Sequence, residues 1–432
     1  MPTNPQSAGV LPVEPAIEVA EQYGQNLPTP ATEVVSIRES LGRVLAEPIL
    51  ADRDFPPFPR ATRDGFALKS ADIKTVPATL RVVGQVKAGG NFKQTLKSGE
   101  AVEIMTGAPA PTGSDAVVMV EYANRRGDTV EVLRTCAEGE NIVPVGSEAK
   151  AGREMVAPGI RLSFAQIAVA AAVGKTRLEV FKRPQVAILS TGDELVEAAL
   201  TPGDFQIRNS NSYSLAAQVV ATGGDALQLP IAADDPVTLR SLIEQGMKAD
   251  LLLLSGGVSM GKFDLVEQAL SDLGAKFFFT GALIQPGKPV VFGEVSASAG
   301  TGAEAGIAIV RQGPGRTTPF FGLPGNPVST MVTFDLFVRP VLQALSGAVP
   351  VRLPVVKARL AKAMKTKTGL TRFLPGRLQG ARFDPEVEVV SWQGSGDLMA
   401  SAQADCYVIV PPDRDQIAAG ETVSILLRTC PT

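Results

Sequence analysis

The chain of 432 residues contains no histidine, and this absence excludes several catalytic mechanisms. A Ser-His-Asp triad, a Cys-His pair and a histidine-ligated zinc or iron site all require an imidazole ring. Acid–base chemistry must therefore use Asp, Glu, Lys, Tyr or water. If the protein uses a metal ion, we expect a hard cation held by oxygen atoms, such as Mg²⁺.

The chain also has few cysteines, a small net charge and no long apolar run. Cys136, Cys406 and Cys430 are odd in number and far apart, so we expect no disulfide framework and a cytoplasmic location. The 41 basic and 44 acidic residues nearly cancel, which argues against a nucleic-acid partner. No apolar run reaches the roughly 20 residues of a membrane span, and the first residues do not resemble a signal peptide. We therefore expect no membrane binding.

Two regions have the short apolar runs and glycine turns that are typical of β-structure. Residues 80–145 contain LRVVGQV, AVEIM, DAVVMVEYA and TVEVL, and a similar pattern returns over residues 353–427. We predict a small β domain in each region. Residues 14–50 have a mainly helical pattern, which a strand-like VVSI interrupts. The apolar segment between Ser163 and Gly174 predicts a helix, with Ser163 as its N-cap and Gly174 as its stop.

Residues 184–340 alternate strand and helix patterns. The predicted strands are QVAILS, DALQLPI, DLLLLS, PVVFGEV and GIAIVR. Helices are predicted near residues 212–222, 235–248, 264–273 and 328–345. Alternation of this kind predicts a parallel sheet with right-handed crossovers.

The segment DLLLLSGGVSMGKFD at residues 250–264 predicts a buried strand, a glycine turn (residues 255–261) and a helix. Such a turn can direct backbone N–H groups at an anion, at the carboxyl end of a strand. Its candidate binding residues are Ser255, Gly256, Gly257, Ser259 and Gly261. The match to GxSxG lacks a histidine base, and the match to GxxxxGK lacks the following Ser or Thr, because Phe263 stands there. A tight structural turn is the alternative, and we favour anion binding.

Three more turns belong to the same region. The acidic turn STGDEL (residues 190–195) either caps a helix or binds Mg²⁺ or ribose hydroxyls. The proline turn GLPGNP (residues 322–327) is either a rigid helix start or a second anion or pterin contact. The lysine turn QPGKP (residues 285–289) offers Lys288 to an oxyanion, although a solvated surface lysine is the simpler interpretation. Together the turns predict a long anionic ligand across the edge of the sheet.

These motifs, with NSNSY at residues 209–213, resemble those of the molybdopterin molybdenumtransferases, the family of the MoeA proteins and the gephyrin E domain. IMTGAP (104–109), RDGFA (63–67) and GSGDLM (394–399) extend the resemblance to residues 14–427. The resemblance implies a MoeA-like multidomain fold of α/β and β domains. The implied domains are an elongated helical linker domain (14–51 with 146–180), a β-rich domain (52–145), a molybdopterin-binding α/β domain with a central parallel sheet (181–346) and a C-terminal β domain (350–430).

The resemblance also implies a reaction. Its substrates are adenylylated molybdopterin and molybdate, its cofactor is Mg²⁺, and it releases AMP while it inserts molybdenum into the dithiolene. It implies a homodimer, with the molybdopterin adenylyltransferase upstream in the pathway as a further partner.

The residues that match the family's site form three sets. The implied catalytic residues are Asp64, Thr106, Glu194, Asp235, Asp264 and Lys288. The implied metal ligands are Asp264, Glu194 and, from the partner subunit, Asp64. The implied substrate-binding residues are Thr191, Gly192, Asp193, Ser255, Gly256, Gly257, Ser259, Gly261, Pro324, Gly325, Asn326, Pro327, Ser329 and Ser395. Among these, Lys288, Ser329 and Ser395 resemble the family's molybdate pocket.

Four positions depart from the family pattern. Val143 and Gln285 stand where the family has basic residues, Gly281 aligns with a further lysine, and Ala149 replaces an aspartate. Either the chain is a transferase in which Arg60 or Arg63 replaces a lost lysine, or it is a paralogue that binds molybdopterin or its adenylate without metal insertion. A dimeric scaffold is a third alternative. We favour the transferase.

Overall fold

The computed structural model describes residues 9–257, 265–296, 317–350 and 352–428. The centre of the fold is a six-stranded sheet. Its strands, in spatial order, are Asp225–Gln228, Gln185–Ser190, Leu251–Ser255, Thr317–Leu323, Val291–Ser296 and Lys276–Phe279. The first four strands are parallel, and three of them, Asp225–Gln228, Gln185–Ser190 and Leu251–Ser255, confirm predicted strands of the parallel sheet. All five residues of Leu251–Ser255 are buried because both faces of the sheet are covered.

The last two strands of this sheet correct the sequence prediction. Val291–Ser296 runs antiparallel to Thr317–Leu323, and Lys276–Phe279 runs antiparallel to Val291–Ser296. No helix lies between Phe279 and Val291, so the chain lacks the crossover that a parallel pair requires. The sequence pattern did not predict Thr317–Leu323 as a strand, and the predicted strand GIAIVR lies outside the described residues.

Helices cover both faces of the sheet. They are Val13–Gln25, Asn211–Thr222, Pro236–Gly246, Leu265–Asp272 and the long segment Pro327–Leu345, which consists of Pro327–Thr333, a π-helical turn Phe334–Val338 and Arg339–Leu345. Pro327–Leu345 is apolar and long enough to cross a membrane, but 72% of its most apolar window is buried inside the protein, which is typical of a core helix. The helix Val13–Gln25 packs on Arg339–Leu345, where Gly24 approaches Ala344 closely.

The helical pattern predicted over residues 14–50 is confirmed only as far as Gln25, whereas the strand-like VVSI within it lies largely in an observed strand. Pro28 and Pro30 cannot continue a helix, and the β-branched residues that follow form the strand Thr32–Ser36. This strand pairs with Arg177–Phe181, and Ile49–Leu50 pairs with Glu154–Val156.

The predicted helix between Ser163 and Gly174 is confirmed as Phe164–Ala172. Ser163 caps it in a capping box with Gln166.

Both regions that the sequence pattern predicts to be β-rich contain β-sheets. The first contains a six-stranded sheet of Ala116–Met119, Gly65–Leu68, Glu100–Ile104, Ala78–Val86, Thr129–Val132 and Ala123–Arg126. The second is a closed barrel of Thr371–Ala381, Asp384–Val389, Val355–Leu360, Thr422–Leu427 and Cys406–Val410. The barrel closes because Thr371–Ala381 pairs with both Asp384–Val389 and Cys406–Val410.

Short elements complete the described fold. The remaining strand pairs are Val10–Leu11 with Gly281–Ala282, Arg60–Ala61 with Ile142–Val143, Leu195–Val196 with Ile207–Arg208, and Met364–Lys365 with Gln416–Ile417. The short strand Ile284–Gln285 pairs with the barrel strand Thr371–Ala381 and thereby links the lysine turn to the barrel. The remaining helical turns are Ile37–Glu39, Ser70–Ile73, Val120–Tyr122 and Leu398–Ala402.

Candidate active site

The acidic, glycine and proline turns meet at one edge of the central sheet. They follow three neighbouring parallel strands, so the carboxyl ends of these strands lie side by side. Backbone hydrogen bonds join the turns directly: Thr191 N donates to Ser255 O at 3.0 Å, and Gly256 N donates to Leu323 O at 3.2 Å. The structure therefore brings together three of the motifs that the sequence places up to about 130 residues apart, at the position where open α/β sheets bind ligands.

The glycine turn requires its glycines. Gly256 and Gly257 have φ values of +92° and +64°, in the left-handed region that side chains rarely adopt. A Cβ at Gly256 would lie 2.6 Å from Thr191 O, and one at Gly257 would lie 2.8 Å from Thr191 Oγ1. The backbone of this turn thus packs directly on the acidic turn. Ser259, Gly261 and Asp264 lie outside the described residues.

Carboxylates cluster beside the acidic turn. Asp193 accepts a hydrogen bond from Asp234 N at 3.0 Å, and the Glu194 carboxylate lies so close to Gly192 that a Cβ there would clash with it. Burial raises the pKa of Asp234, and the negative charges of Asp193 and Glu194 raise it further. Across residues 9–257, 265–296, 317–350 and 352–428, no three carboxylates or thiols already have a metal-binding arrangement.

Asp235 has a structural role in this region. Its carboxylate accepts hydrogen bonds from Thr238 N at 2.8 Å and from Thr238 Oγ1 at 2.7 Å, and so caps the helix Pro236–Gly246. The Thr238 hydroxyl and backbone N–H hold the pKa of Asp235 below its ordinary value. Helix capping alone is sufficient to explain an aspartate here. Its catalytic role stays a prediction.

The proline turn meets a loop of the barrel domain. Asn326 Nδ2 donates to Ser395 Oγ at 2.9 Å, and Val328 N donates to Ser395 O at 3.0 Å. Pro324 O accepts from the Thr330 hydroxyl, which braces the turn against the helix that Pro327 begins. The structure therefore places Ser395 beside the proline turn, although the two are 69 residues apart.

The lysine turn packs on the same helix. Gly287 has φ +110°, and a Cβ there would lie 2.5 Å from Thr333 Cγ2 and 3.6 Å from Ser329 O. Ser329 is buried, whereas Lys288 is exposed. Lys288 thus directly follows a glycine that packs on the helix carrying Ser329, and Ser395 contacts the start of the same helix. Such groups suit a tetrahedral oxyanion.

Asn209 and Asn211 are site residues that the sequence reasoning missed. Asn211 Nδ2 donates to Ser255 Oγ at 2.8 Å and to Gly325 O at 2.7 Å. Asn209 Oδ1 accepts from Ser190 Oγ at 3.2 Å, beside the acidic turn. The motif NSNSY was the available signal, but no sequence pattern identifies the partner of either amide.

Asp64 and Thr106 form a separate pair in the β-rich domain. Thr106 donates to Asp64 Oδ1 from its backbone N at 2.6 Å and from its hydroxyl at 2.8 Å. These two hydrogen bonds lower the pKa of Asp64 below its ordinary value, the backbone bond having the larger effect. Among the described residues, no hydrogen bond or ion pair joins this pair to the edge of the central sheet.

The departure at Val143 lies opposite an arginine that the sequence offers as a replacement for a lost lysine. Val143 is the strand partner of Arg60, and Arg60 forms an ion pair with Glu148 at 3.1 Å. Arg63 is exposed two residues before the strand Gly65–Leu68. Ala149 is buried, and its carbonyl accepts a hydrogen bond from Phe55 N at 2.8 Å.

The departures at Gly281 and Gln285 also have local consequences. A Cβ at Gly281 would lie 2.9 Å from Val10 Cγ2 and 3.2 Å from Lys288 O, so a lysine there would displace the strand Val10–Leu11. Gln285 is exposed and pairs with Arg372 of the barrel. In this chain, position 281 is therefore specialised for close backbone packing.

Comparisons with known proteins cover nearly the whole chain. Three family models match: the MoeA N-terminal region (domain I and II) at residues 11–174, a probable molybdopterin binding domain at residues 187–344 and the MoeA C-terminal region (domain IV) at residues 357–427. A molybdopterin molybdenumtransferase of Nostoc sp. is 34% identical over 407 residues, which cover 91% of this chain and 88% of that protein. One of Staphylococcus aureus is 30% identical over 422 residues, covering 96% and 95%.

The same similarity extends to three dimensions. The crystal structure of the molybdopterin biosynthesis moeA protein from Pyrococcus horikoshii OT3 superposes with a TM-score of 0.74 at 28% identity. The match covers 97% of this chain and 100% of that one. The multidomain fold that the sequence motifs implied is therefore confirmed.

Proposed function

The chain belongs to the molybdopterin molybdenumtransferase family, and we propose that it inserts molybdenum from molybdate into adenylylated molybdopterin with Mg²⁺-dependent release of AMP. The observation that carries this proposal is the convergence of the acidic, glycine and proline turns on one sheet edge, with Ser395 of the barrel joined to Asn326. This edge offers separate positions for a phosphate group and for a second oxyanion.

Each part of the substrate has a chemically suitable position. The glycine turn approaches its neighbours too closely for side chains, so a phosphate there would meet backbone N–H groups. Molybdate is a tetrahedral oxyanion, and Lys288 with the hydroxyl groups of Ser329 and Ser395 would bind it. A ligand that occupies both positions lies across the proline turn.

The acidic residues fit Mg²⁺ by their chemistry. Carboxylate oxygens are the ligands that Mg²⁺ prefers. Burial raises the pKa of Asp234, the charges of Asp193 and Glu194 raise it further, and a bound cation would offset that repulsion. We propose Glu194 and Asp264, together with Asp64 of the partner subunit, as its ligands. When bound, Mg²⁺ would polarise the phosphate oxygens of the adenylate.

We propose that the active protein is a homodimer. Asp64 and Thr106 are exposed on the β-rich domain, and a second copy of the chain would bring them to the sheet edge. Mixed dimers of Asp64→Asn and Lys288→Ala chains test this arrangement, because one of the two sites in such a dimer would be intact. Co-expressed variants should recover about a quarter of the wild-type activity. If each site belongs to a single chain, the mixture stays inactive.

The reaction itself is tested by AMP release. Purified protein with adenylylated molybdopterin should release AMP when both Mg²⁺ and molybdate are present, and Asp264→Ala should abolish that release while it leaves the fold intact. Substrate binding without AMP release would support the altered paralogue, and the absence of both would support a dimeric scaffold. A cytoplasmic location, and transfer of the substrate from the adenylyltransferase upstream, belong to the same proposal.

A further inference from the structure

Asn211 holds two turns of the site together. Its Nδ2 atom donates to Ser255 Oγ in the glycine turn at 2.8 Å and to Gly325 O in the proline turn at 2.7 Å. A backbone carbonyl only accepts hydrogen bonds, so the contact with Gly325 requires that the nitrogen, and not Oδ1, faces the turns. Both N–H bonds of one buried amide therefore connect the two turns.

Two buried polar atoms next to this connection have no hydrogen-bond partner among the residues that the structure describes. They are Asn211 Oδ1 and Thr191 Oγ1, in residues that are only 9% and 4% exposed. Thr191 Oγ1 lies directly beneath Gly257. An unpartnered buried polar atom is destabilising and requires an explanation, such as a bound water, ion or ligand. Both atoms belong to residues that contact the glycine turn, so a ligand bound at this turn would be near enough to supply a partner.

Gln218 shows what a purely structural amide does on the same helix. Its Nε2 atom donates to Met331 O at 3.2 Å and to Asp335 Oδ1 at 3.3 Å, and its Oε1 also lacks a partner within the described part of the chain. Gln218 therefore joins the helix Asn211–Thr222 to the segment Pro327–Leu345, away from the turns. The two side chains carry the same amide group, and Gln218 is less buried than Asn211, but only the amide of Asn211 contacts the turns.

We propose that Asn211 is a positioning residue that fixes the spacing between the phosphate held by the glycine turn and the oxyanion held beside Ser329 and Ser395. The inference rests on the proposed function, because it assigns these two ligand groups to the two turns. A ligand that spans both turns binds well only if the turns are held at the spacing of its own groups. A ligand that touches one turn does not depend on this spacing.

The test compares Asn211→Ala with the matched variant Gln218→Ala. For each protein we would measure KM and kcat with adenylylated molybdopterin, and separately the Kd of AMP and the Kd of molybdate. Asn211→Ala should raise the KM of the spanning substrate about tenfold and lower kcat, while both fragment Kd values stay within about threefold of wild type. Gln218→Ala should leave all four constants near wild type, even if it lowers the melting temperature as much as Asn211→Ala does.

Three results would decide against the inference or separate it from the proposed function. If Asn211→Ala weakens the binding of the spanning substrate, AMP and molybdate equally, Asn211 has a general structural role and the proposal is overturned. Wild-type kinetics in Asn211→Ala would also overturn it. The variant Asn211→Asp retains the shape but not the N–H donors, so it should behave like Asn211→Ala. If wild-type protein releases no AMP, the proposed function fails, and the Kd of adenylylated molybdopterin still tests the role of Asn211.

Discussion

The exposed Asp64 carboxylate is kept in its charged form by Thr106. The lowered pKa of Asp64 means that the charged form persists above the folded-state pKa and is lost as the pH falls through it. Thr106→Val removes the hydroxyl donor and keeps the backbone donor, so the pKa of Asp64 should rise towards its ordinary value. We expect AMP release to fall about tenfold, with the acidic limb of the pH profile of kcat/KM shifted to higher pH.

The variant Thr106→Ser provides the control, because it retains the hydroxyl group at the same position. It should keep most of the activity and the wild-type acidic limb. A pH profile that is the same in Thr106→Val and Thr106→Ser would contradict the assigned role of the Thr106 hydroxyl.

Asp234 gives a second prediction, which concerns Mg²⁺. Its raised pKa favours the neutral form in the folded protein, so its stabilising contribution is present at low pH and is lost as the pH rises through the folded-state pKa. Asp234→Asn should therefore raise the melting temperature of the Mg²⁺-free protein at pH 7 by about 1–2 °C, with no gain at pH 4. It should also reduce the further rise that Mg²⁺ causes.

The exposed loop residue Asp204 supplies the comparison for that measurement. Asp204→Asn changes the net charge equally but should leave both the Mg²⁺-dependent rise and the pH dependence unchanged. If Asp204→Asn and Asp234→Asn respond alike, the acidic turn is not the Mg²⁺ site.

Single residues could be predicted from the sequence where their signal is local. Ser163 was predicted as an N-cap because the helix pattern starts at the next residue, and the capping box confirms it. Asp235 and Asn211 show where prediction of a residue's role from the sequence alone fails. Whether an aspartate caps a helix or faces a ligand depends on the path of the backbone, and the contact between Asn211 and Gly325 spans 114 residues.

At the scale of elements, the most specific prediction concerns the glycine turn. Gly256→Ala places a Cβ 2.6 Å from Thr191 O at a φ of +92°, so the change combines backbone strain with a clash against main chain that cannot move easily. We expect the acidic and glycine turns to separate and the KM for adenylylated molybdopterin to rise at least tenfold. The strain alone costs about 1 kcal/mol.

A variant at Gly274 separates the effect of backbone strain from the effect of the clash with Thr191. Its φ is +77°, but a Cβ there would have open space around it. Gly274→Ala should therefore lower stability by about 1 kcal/mol and leave the KM unchanged. A similar loss of substrate affinity in both variants would mean that strain, and not the close approach to Thr191, controls the turn.

The elements could be predicted better than their directions. The leucine-rich run of Leu251–Ser255 and the turn after it follow from apolar pattern and composition. Strand direction is not encoded in that pattern, because a buried run reads the same in a parallel or an antiparallel pair. Val291–Ser296 was therefore assigned to the parallel set, although its pairing with Thr317–Leu323 is antiparallel.

At the scale of the whole molecule, the α/β domain and the barrel share one core. Tyr407 and Phe373 of the barrel pack in the same cluster as Phe334 and Phe337. A buried ion pair between Asp335 and Arg339 lies within this region. Ser395 of the barrel contacts Asn326 of the α/β domain across the same boundary. The relative position of the two domains therefore determines the geometry of the proposed oxyanion position beside Ser395.

The buried ion pair gives the last prediction. Burial raises the pKa of Asp335, and the Arg339 guanidinium is the first of the groups that oppose this effect. Arg339→Met would leave Asp335 buried without its counter-ion, so we expect a loss of stability of about 3–5 kcal/mol, measured by calorimetry. The double variant Asp335→Leu/Arg339→Met removes both charges and should recover most of that loss. If the double variant is no more stable than Arg339→Met, packing around Arg339, and not charge compensation, accounts for the loss of stability.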